Sequence, residues 1–219
     1  MSGPVSPSAT RPVTRVVLAT RNAHKVGELR AILAPHLPEG LDVELLAVGD
    51  PSLPEVPEVV EDEVTFAGNA LLKARAVSRA TGLVALADDS GIAVDVLGGA
   101  PGIFSARWAG GHGDDAANLA LLLAQVADVP DAHRGAAFVC AAALVTPQGH
   151  EHVEVAELRG RLAREARGSG GFGYDPALVP EGLDVSCAEL APEHKDAISH
   201  RGRAFRALAP ELARVLAGS

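Results

Sequence analysis

Cysteine is scarce in this 219-residue chain. Cys140 lies inside the apolar run Ala136 to Val145 and Cys187 stands elsewhere, so neither a disulfide framework nor a zinc-site spacing is present. Reduced thiols and a cytoplasmic location are the expectation. Aromatic residues make up 3% of the chain, too few for a base-stacking platform along a nucleic-acid strand, and the net charge of -9 lacks the basic surface that phosphate backbones require. No stretch approaches the ~20 apolar residues that span a bilayer, which excludes a membrane helix. The first fourteen residues, MSGPVSPSATRPVT, have no apolar core of a secretion signal and read as a disordered tail over 1–14. Repeats, a second domain and other low-complexity segments are also missing. What remains is 47% hydrophobic, enough for one domain over 15–219 with a sizeable core. A small anion stays possible as a ligand, because a divalent cation and a few Lys or Arg residues offset local charge.

Apolar runs alternate with helical patterns. Arg15 to Ala19 reads as a strand, Lys25 to Leu33 as a helix, Val43 to Val48 as an extended piece, and Pro51 to Pro57 as a loop. The pattern predicts a helix from Thr65 to about Thr81 ended by Gly82, then strands at Leu83 to Ala87 and Ile92 to Val96. A further helix is expected near Asp114 to Ala127. Ala136 to Val145 and Glu151 to Leu158 flank Thr146-Pro147-Gln148-Gly149 as a hairpin, which makes the sheet mixed. After the glycine-rich loop Gly168 to Gly173 comes an irregular stretch, and Ser199 caps a last helix through about Leu216.

Chemistry concentrates in six segments. Ala87-Asp88-Asp89-Ser90-Gly91 sets adjacent carboxylates at the end of an apolar segment, so one is free to ligate a hard cation while backbone or hydroxyl donors hold the other, or the run is a plain turn. Ser105 and Arg107 supply a hydroxyl and a charge nearby. Thr20-Arg21-Asn22-Ala23-His24-Lys25 is a strand-to-helix turn able to hold phosphate, or simply a capping turn, and it lacks the Walker spacing. On the Thr65 helix, Lys73 falls between the directions of Phe66, Ala70 and Val77, with Asn69 a turn before it, whereas Arg75 and Arg79 face solvent. An ammonium on an apolar face needs an anion, either a bound phosphate or the partner in a structural ion pair. Glu61-Asp62-Glu63 offers a carboxylate to share a magnesium ion with Asp89, or a solvated acidic helix start. Gly171-Phe172-Gly173-Tyr174-Asp175-Pro176 presents an aromatic plate for a base, or a hydrophobic lid. Lys195 and Ser199-His200-Arg201-Gly202 place donors at the start of the last helix, or serve only as cap and surface charge.

With these segments in view, the chain resembles the inosine triphosphate pyrophosphatase family, whose members hydrolyse dITP, ITP and XTP. T-x-N-x-x-K, T-F-x-x-N-A-x-x-K-A, A-D-D-S-G-x-x-V-D-x-L-x-G-x-P-G, G-F-G-Y-D-P and I-S-H-R-G occur in family order and spacing from about Arg15 onward. The resemblance implies an α/β fold, a long mixed β-sheet flanked by helices with two lobes around a central nucleotide-binding cleft, in a homodimer. It implies that Thr20, Asn22 and Lys25 form the triphosphate turn and that Lys73 reaches the phosphates. Asp89 matches the proton acceptor and magnesium ligand, Glu61 the second metal carboxylate, and Ser90 a substrate contact. Phe172, Gly173, Tyr174 and Asp175 match the base-binding loop, and Lys195, His200 and Arg201 the groups that recognise the purine.

Glu63 stands where the family commonly has glycine, Ala177-Leu178 replaces Ile-Phe, and the N-terminal tail is extra. A Maf-type nucleotide pyrophosphatase, a nucleotide-binding regulator without turnover and a plain structural domain remain as other readings. The resemblance favours a magnesium-dependent enzyme acting on a small nucleotide, with neither nucleic acid nor membrane as partner.

Overall fold

The computed structural model describes residues 13–21, 23–37 and 41–218, with backbone alone for 23–25. Most of the expected tail lies outside the described residues, but Val13 and Thr14 already belong to the first strand. Among the described residues no helix is long and apolar enough to cross a membrane.

One six-stranded sheet runs in the order β2-β1-β3-β4-β5-β6. Its strands are β1 (Val13–Leu18), β2 (Asp42–Ala47), β3 (Val84–Val94), β4 (Gly135–Val145), β5 (Glu151–Leu162) and β6 (Leu178–Pro180). β1 pairs in parallel with β2 and β3, and the remaining pairings are antiparallel. The helices are α1 (Ala23–Leu33), α2 (Phe66–Thr81), α3 (Asp115–Gln125), α4 (Pro192–Ile198) and α5 (His200–Ala217). Caps set α2 as its sequence predicts: Thr65 accepts from Gly68 N, and Gly82, at φ 67°, ends the helix in the left-handed region that glycine enters without a Cβ clash.

β4 is the centre of the core. Ten of its eleven residues are buried, and its alanines let helices approach both faces closely. The period-2 alternation of β3 and β4 sorts the core into layers. Leu86, Cys140, Ala142 and Leu144 pack with α1 and α5, whereas Ala85, Ala87, Ala141 and Ala143 pack with α2. Farther along, Ile92, Val94, Ala136 and Phe138 join Leu122 of α3 and the segment around Leu178, forming the second lobe. Arg134 ties that lobe together. Its guanidinium, 1% exposed, donates to the carbonyls of Leu162 (3.0 Å), Ala163 (2.7 Å) and Val126.

Three expectations need correction. The two strands expected either side of Asp88–Gly91 are one strand, and the acids sit in its middle, laddered against Ala142 and Ala141. Charge is tolerated there because helices on both faces supply partners. The second hairpin strand, expected to end at Leu158, runs on to Leu162 because its end pairs with β6. The stretch before Ser199, expected to be irregular, contains β6 and α4, so Lys195 belongs to a separate short helix.

Candidate active site

β1 feeds α1 on one face of the sheet while α2, packed on the other face, leads into β3. The gap beside the carboxyl ends of β1 and β3 is therefore a topological switch point, the place where open α/β sheets bind ligands. β1 pairs with β3 only through Leu86, so beyond it the edge of β3 that carries Asp88, Asp89 and Ser90 is released from β1.

Alternation along β3 splits these residues between two chemistries. Asp89 faces α2. Its Oδ1 lies 3.1 Å from Lys73 Nζ, and Asn69 Nδ2 donates to its Oδ2 at 3.3 Å. Lys73 Nζ is also 3.2 Å from Glu61 Oε1. The inward ammonium expected from helical spacing is thus met by two carboxylates. Burial pushes the Asp89 carboxyl above the ordinary carboxylate value, against the pull of Lys73. Burial opposes the charge on Lys73, but the carboxylates outweigh it and hold Lys73 above the usual lysine value. Asn69, fully buried, also accepts from Glu63 N at 3.1 Å, so one amide fastens the acidic loop to Asp89. Sequence reasoning used Asn69 only to orient the helix. Its burial on an otherwise apolar face was the signal available.

Thr20 borders a cavity with Arg21, Glu61 and Lys73, which places the β1–α1 turn beside the ammonium. Asn22 lies outside the described residues, and of Lys25 only its position in α1 is described. Two converging carboxylates suit a hard cation. Among the described residues no group of three or more His, Cys, Asp or Glu side chains is placed to hold one. Asp89 and Glu61 are the carboxylates that would hold such an ion.

Asp88 and Ser90 face α5. Arg201, 4% exposed, donates from Nε to Asp88 Oδ2 at 3.1 Å and from Nη2 to Ser90 Oγ at 3.2 Å, with Glu28 3.8 Å away. Burial alone would lower the Arg201 pKa, but Asp88 and its neighbours raise it, so the guanidinium stays charged. Asp88 is held by this cation.

A second cavity opens on this face between Ser90, His200 and Arg201 and the loop Phe172–Asp175. His200 stacks on Phe138, ring centroids 5.1 Å apart. Phe172 is 62% exposed, with Lys195 Nζ 4.9 Å from its ring centroid. Asp175 binds Lys195 and accepts from Phe172 N at 2.8 Å. Tyr174 is buried and donates to Ser105 O at 2.8 Å, which anchors the loop, and burial pushes its phenol up to about 12. Ser105 itself is occupied by backbone, accepting from Ile92 N and donating to Gly102 O, while Arg107 lies over Phe104.

A sequence profile of the Ham1 family matches residues 16–211. The chain belongs to the Ham1 family. A Streptomyces avermitilis protein named dITP/XTP pyrophosphatase is 61% identical over 204 residues, covering 93% of this chain and 100% of that protein. A Mycobacterium tuberculosis protein of the same name is 55% identical over 207 residues, 94% of this chain and 98% of that one. The crystal structure of a Mycobacterium abscessus nucleoside-triphosphatase, also titled dITP/XTP pyrophosphatase, superposes with a TM-score of 0.76 at 53% identity, over 90% of this chain and all of that one. A Ham1 protein from Coxiella burnetii gives 0.80 at 36% identity, over 94% of this chain and 100% of that one. In this chain the Asp89–Lys73–Glu61 cluster lies on one face of β3 and the Arg201 cavity on the other.

Proposed function

We propose that this Ham1-family protein hydrolyses the non-standard purine nucleoside triphosphates dITP, ITP and XTP to the monophosphate and pyrophosphate, clearing them from the nucleotide pool. The observation that carries the reading is the division of β3: a cationic and carboxylate cluster at Asp89, and a donor-lined cavity at Arg201 a residue's alternation away. The triphosphate occupies the first, held by Lys73 and the Thr20–Lys25 turn, with Asn22 and Lys25 assigned by the family pattern. The base occupies the second, stacked on Phe172 and bounded by Gly173, Tyr174, Asp175 and Lys195.

Asp89 accepts a proton from water as its oxygen bonds to the α-phosphorus. The bond from that phosphorus to the bridging oxygen breaks, and pyrophosphate leaves with the electron pair. Lys73 offsets the charge that develops on the phosphate oxygens. A magnesium ion, held by Asp89 and Glu61, supplies further charge neutralisation when bound. His200 and Arg201 donate to a 6-keto oxygen, and a 6-amino group would leave those donors unpaired, which disfavours adenine. The reading takes residues 15–219 as one catalytic domain, acting as a homodimer in the cytoplasm.

The test is product analysis with dITP, XTP, dATP and dGTP, with and without magnesium, beside Asp89→Asn. Magnesium-dependent monophosphate and pyrophosphate from dITP and XTP, absent in the variant, is expected. Orthophosphate release, preference for ordinary nucleotides, or binding without turnover would overturn the proposal.

A further inference from the structure

Tyr174 anchors the loop in the core, and the tip residues Phe172 and Gly173 are held by hydrogen bonds to their amides. Phe172 is mostly exposed, and Gly168, Gly171 and Gly173 have φ of 79°, 72° and 58°, conformations that leave a glycine backbone wide freedom if its tethers are cut. Two carboxylates from different elements take the consecutive amides at its tip. Asp175 Oδ2 accepts from Phe172 N at 2.8 Å, and Asp115 Oδ2 accepts from Gly173 N at 3.0 Å. Asp175 belongs to the loop. Asp115 is the first residue of α3, 58 positions away in sequence, and it borders the same cavity. The helix does not need Asp115 for its cap, because Asp114 accepts from Ala117 N at 2.9 Å.

We propose that Asp115 is a positioning residue for nucleobase binding: it ties α3 to Gly173 and so fixes the Phe172 plate at the mouth of the cavity. The inference rests on the reading of that cavity as the base pocket. A carboxylate accepting a backbone amide is a charge-assisted bond, stronger than a neutral one. Without it the loop samples other arrangements, and ligand affinity falls by the fraction of molecules still competent to bind. The reacting phosphates lie on the other face of β3, so the loss appears in binding and not in the chemical step.

Asp115→Ala is expected to raise KM for dITP about threefold to tenfold, the scale of one net hydrogen bond, with kcat held within about twofold. Asp115→Asn retains an oxygen acceptor and recovers most of the loss. Asp114→Ala removes the α3 cap and lowers stability, but leaves KM unchanged. Amide exchange of the nucleotide-free protein reads the tether directly: the Gly173 amide exchanges faster in Asp115→Ala and not in Asp114→Ala. A wild-type KM in Asp115→Ala, an equal rise in Asp114→Ala, or unchanged Gly173 exchange overturns the proposal. A wild-type protein inactive on every purine triphosphate would overturn the proposed reaction instead, and the tether would then be decided by Gly173 exchange, which needs no substrate.

Discussion

Arg201 Nε lies 3.1 Å from Asp88 Oδ2, and the next residue along β3, Asp89, turns to Lys73 on the opposite face. Two adjacent carboxylates therefore serve two subsites. The first holds a buried guanidinium beside the cavity that Phe172 borders, and the second meets the Lys73 ammonium on the other face.

That division makes the two acids separable by mutation. Asp88→Asn leaves Arg201 with only the more distant Glu28 as a charge partner. Breaking a buried ion pair from one side costs about 3–5 kcal/mol, and Glu28 places the expected loss at the lower end. Denaturant unfolding measures it, and the kcat/KM preference for dITP over dATP should fall in the same variant.

Asp89→Asn, by contrast, should lower kcat by roughly 10²–10⁴-fold, the range for loss of a positioned proton acceptor. Single-turnover measurements with dITP check it, and near-normal nucleotide binding distinguishes a chemical defect from a structural one.

The pH dependence follows from the same carboxyl. Burial raises the Asp89 pKa, so the proton is retained to higher pH than in a free aspartate, and a proton acceptor must first lose it. In the metal-free protein a carboxyl titration should therefore fall above the ordinary aspartate value of 3.8. The hydrogen bond from Asn69 favours the ionised form, so Asn69→Ala should move the titration higher still. Carbon NMR of Asp89 reads both, and a downward shift in Asn69→Ala would contradict this account.

Phe172→Ala tests the stacking plate. At 62% exposure the ring adds little to the core, so unfolding stability should change by no more than about 0.5 kcal/mol. Binding of a purine triphosphate should weaken by about 1–3 kcal/mol, the usual worth of a base-aromatic stack. Titration calorimetry with a non-hydrolysed analogue measures it.

Arg134→Met should be a stability variant alone. It strands buried carbonyls of Leu162, Ala163 and Val126, each costing about 1–3 kcal/mol when unsatisfied. A large fall in Tm with an unchanged ratio of dITP to dATP turnover is the expected result. Neither spacing nor periodicity singles out this residue, because two of its partner carbonyls, those of Leu162 and Ala163, lie 28 and 29 positions away.

Periodicity and capping residues were enough to place α2, α3, α5 and the β4–β5 hairpin, because each depends on neighbours a few positions away: Thr65 and Gly82 bound one helix, and Ser199 opens another. The inward direction of Lys73 was also local, fixed by 100° per residue along α2. The Asp88–Gly91 segment reads locally as the end of an apolar strand or a turn, because two acids, a serine and a glycine interrupt the apolar run. Only the tertiary structure supplies Arg201, Lys73 and Asn69 to make them fit. The short β6 and α4 were missed for a related reason: β6 is defined by its pairing with the end of β5, a contact that no local pattern encodes. The sequence alone determined the locally encoded elements and the inward direction of Lys73. Which carboxylate meets which cation, and that Asp115 reaches across to Gly173, was decided by long-range packing, since those distances exist only after the sheet has brought remote segments together.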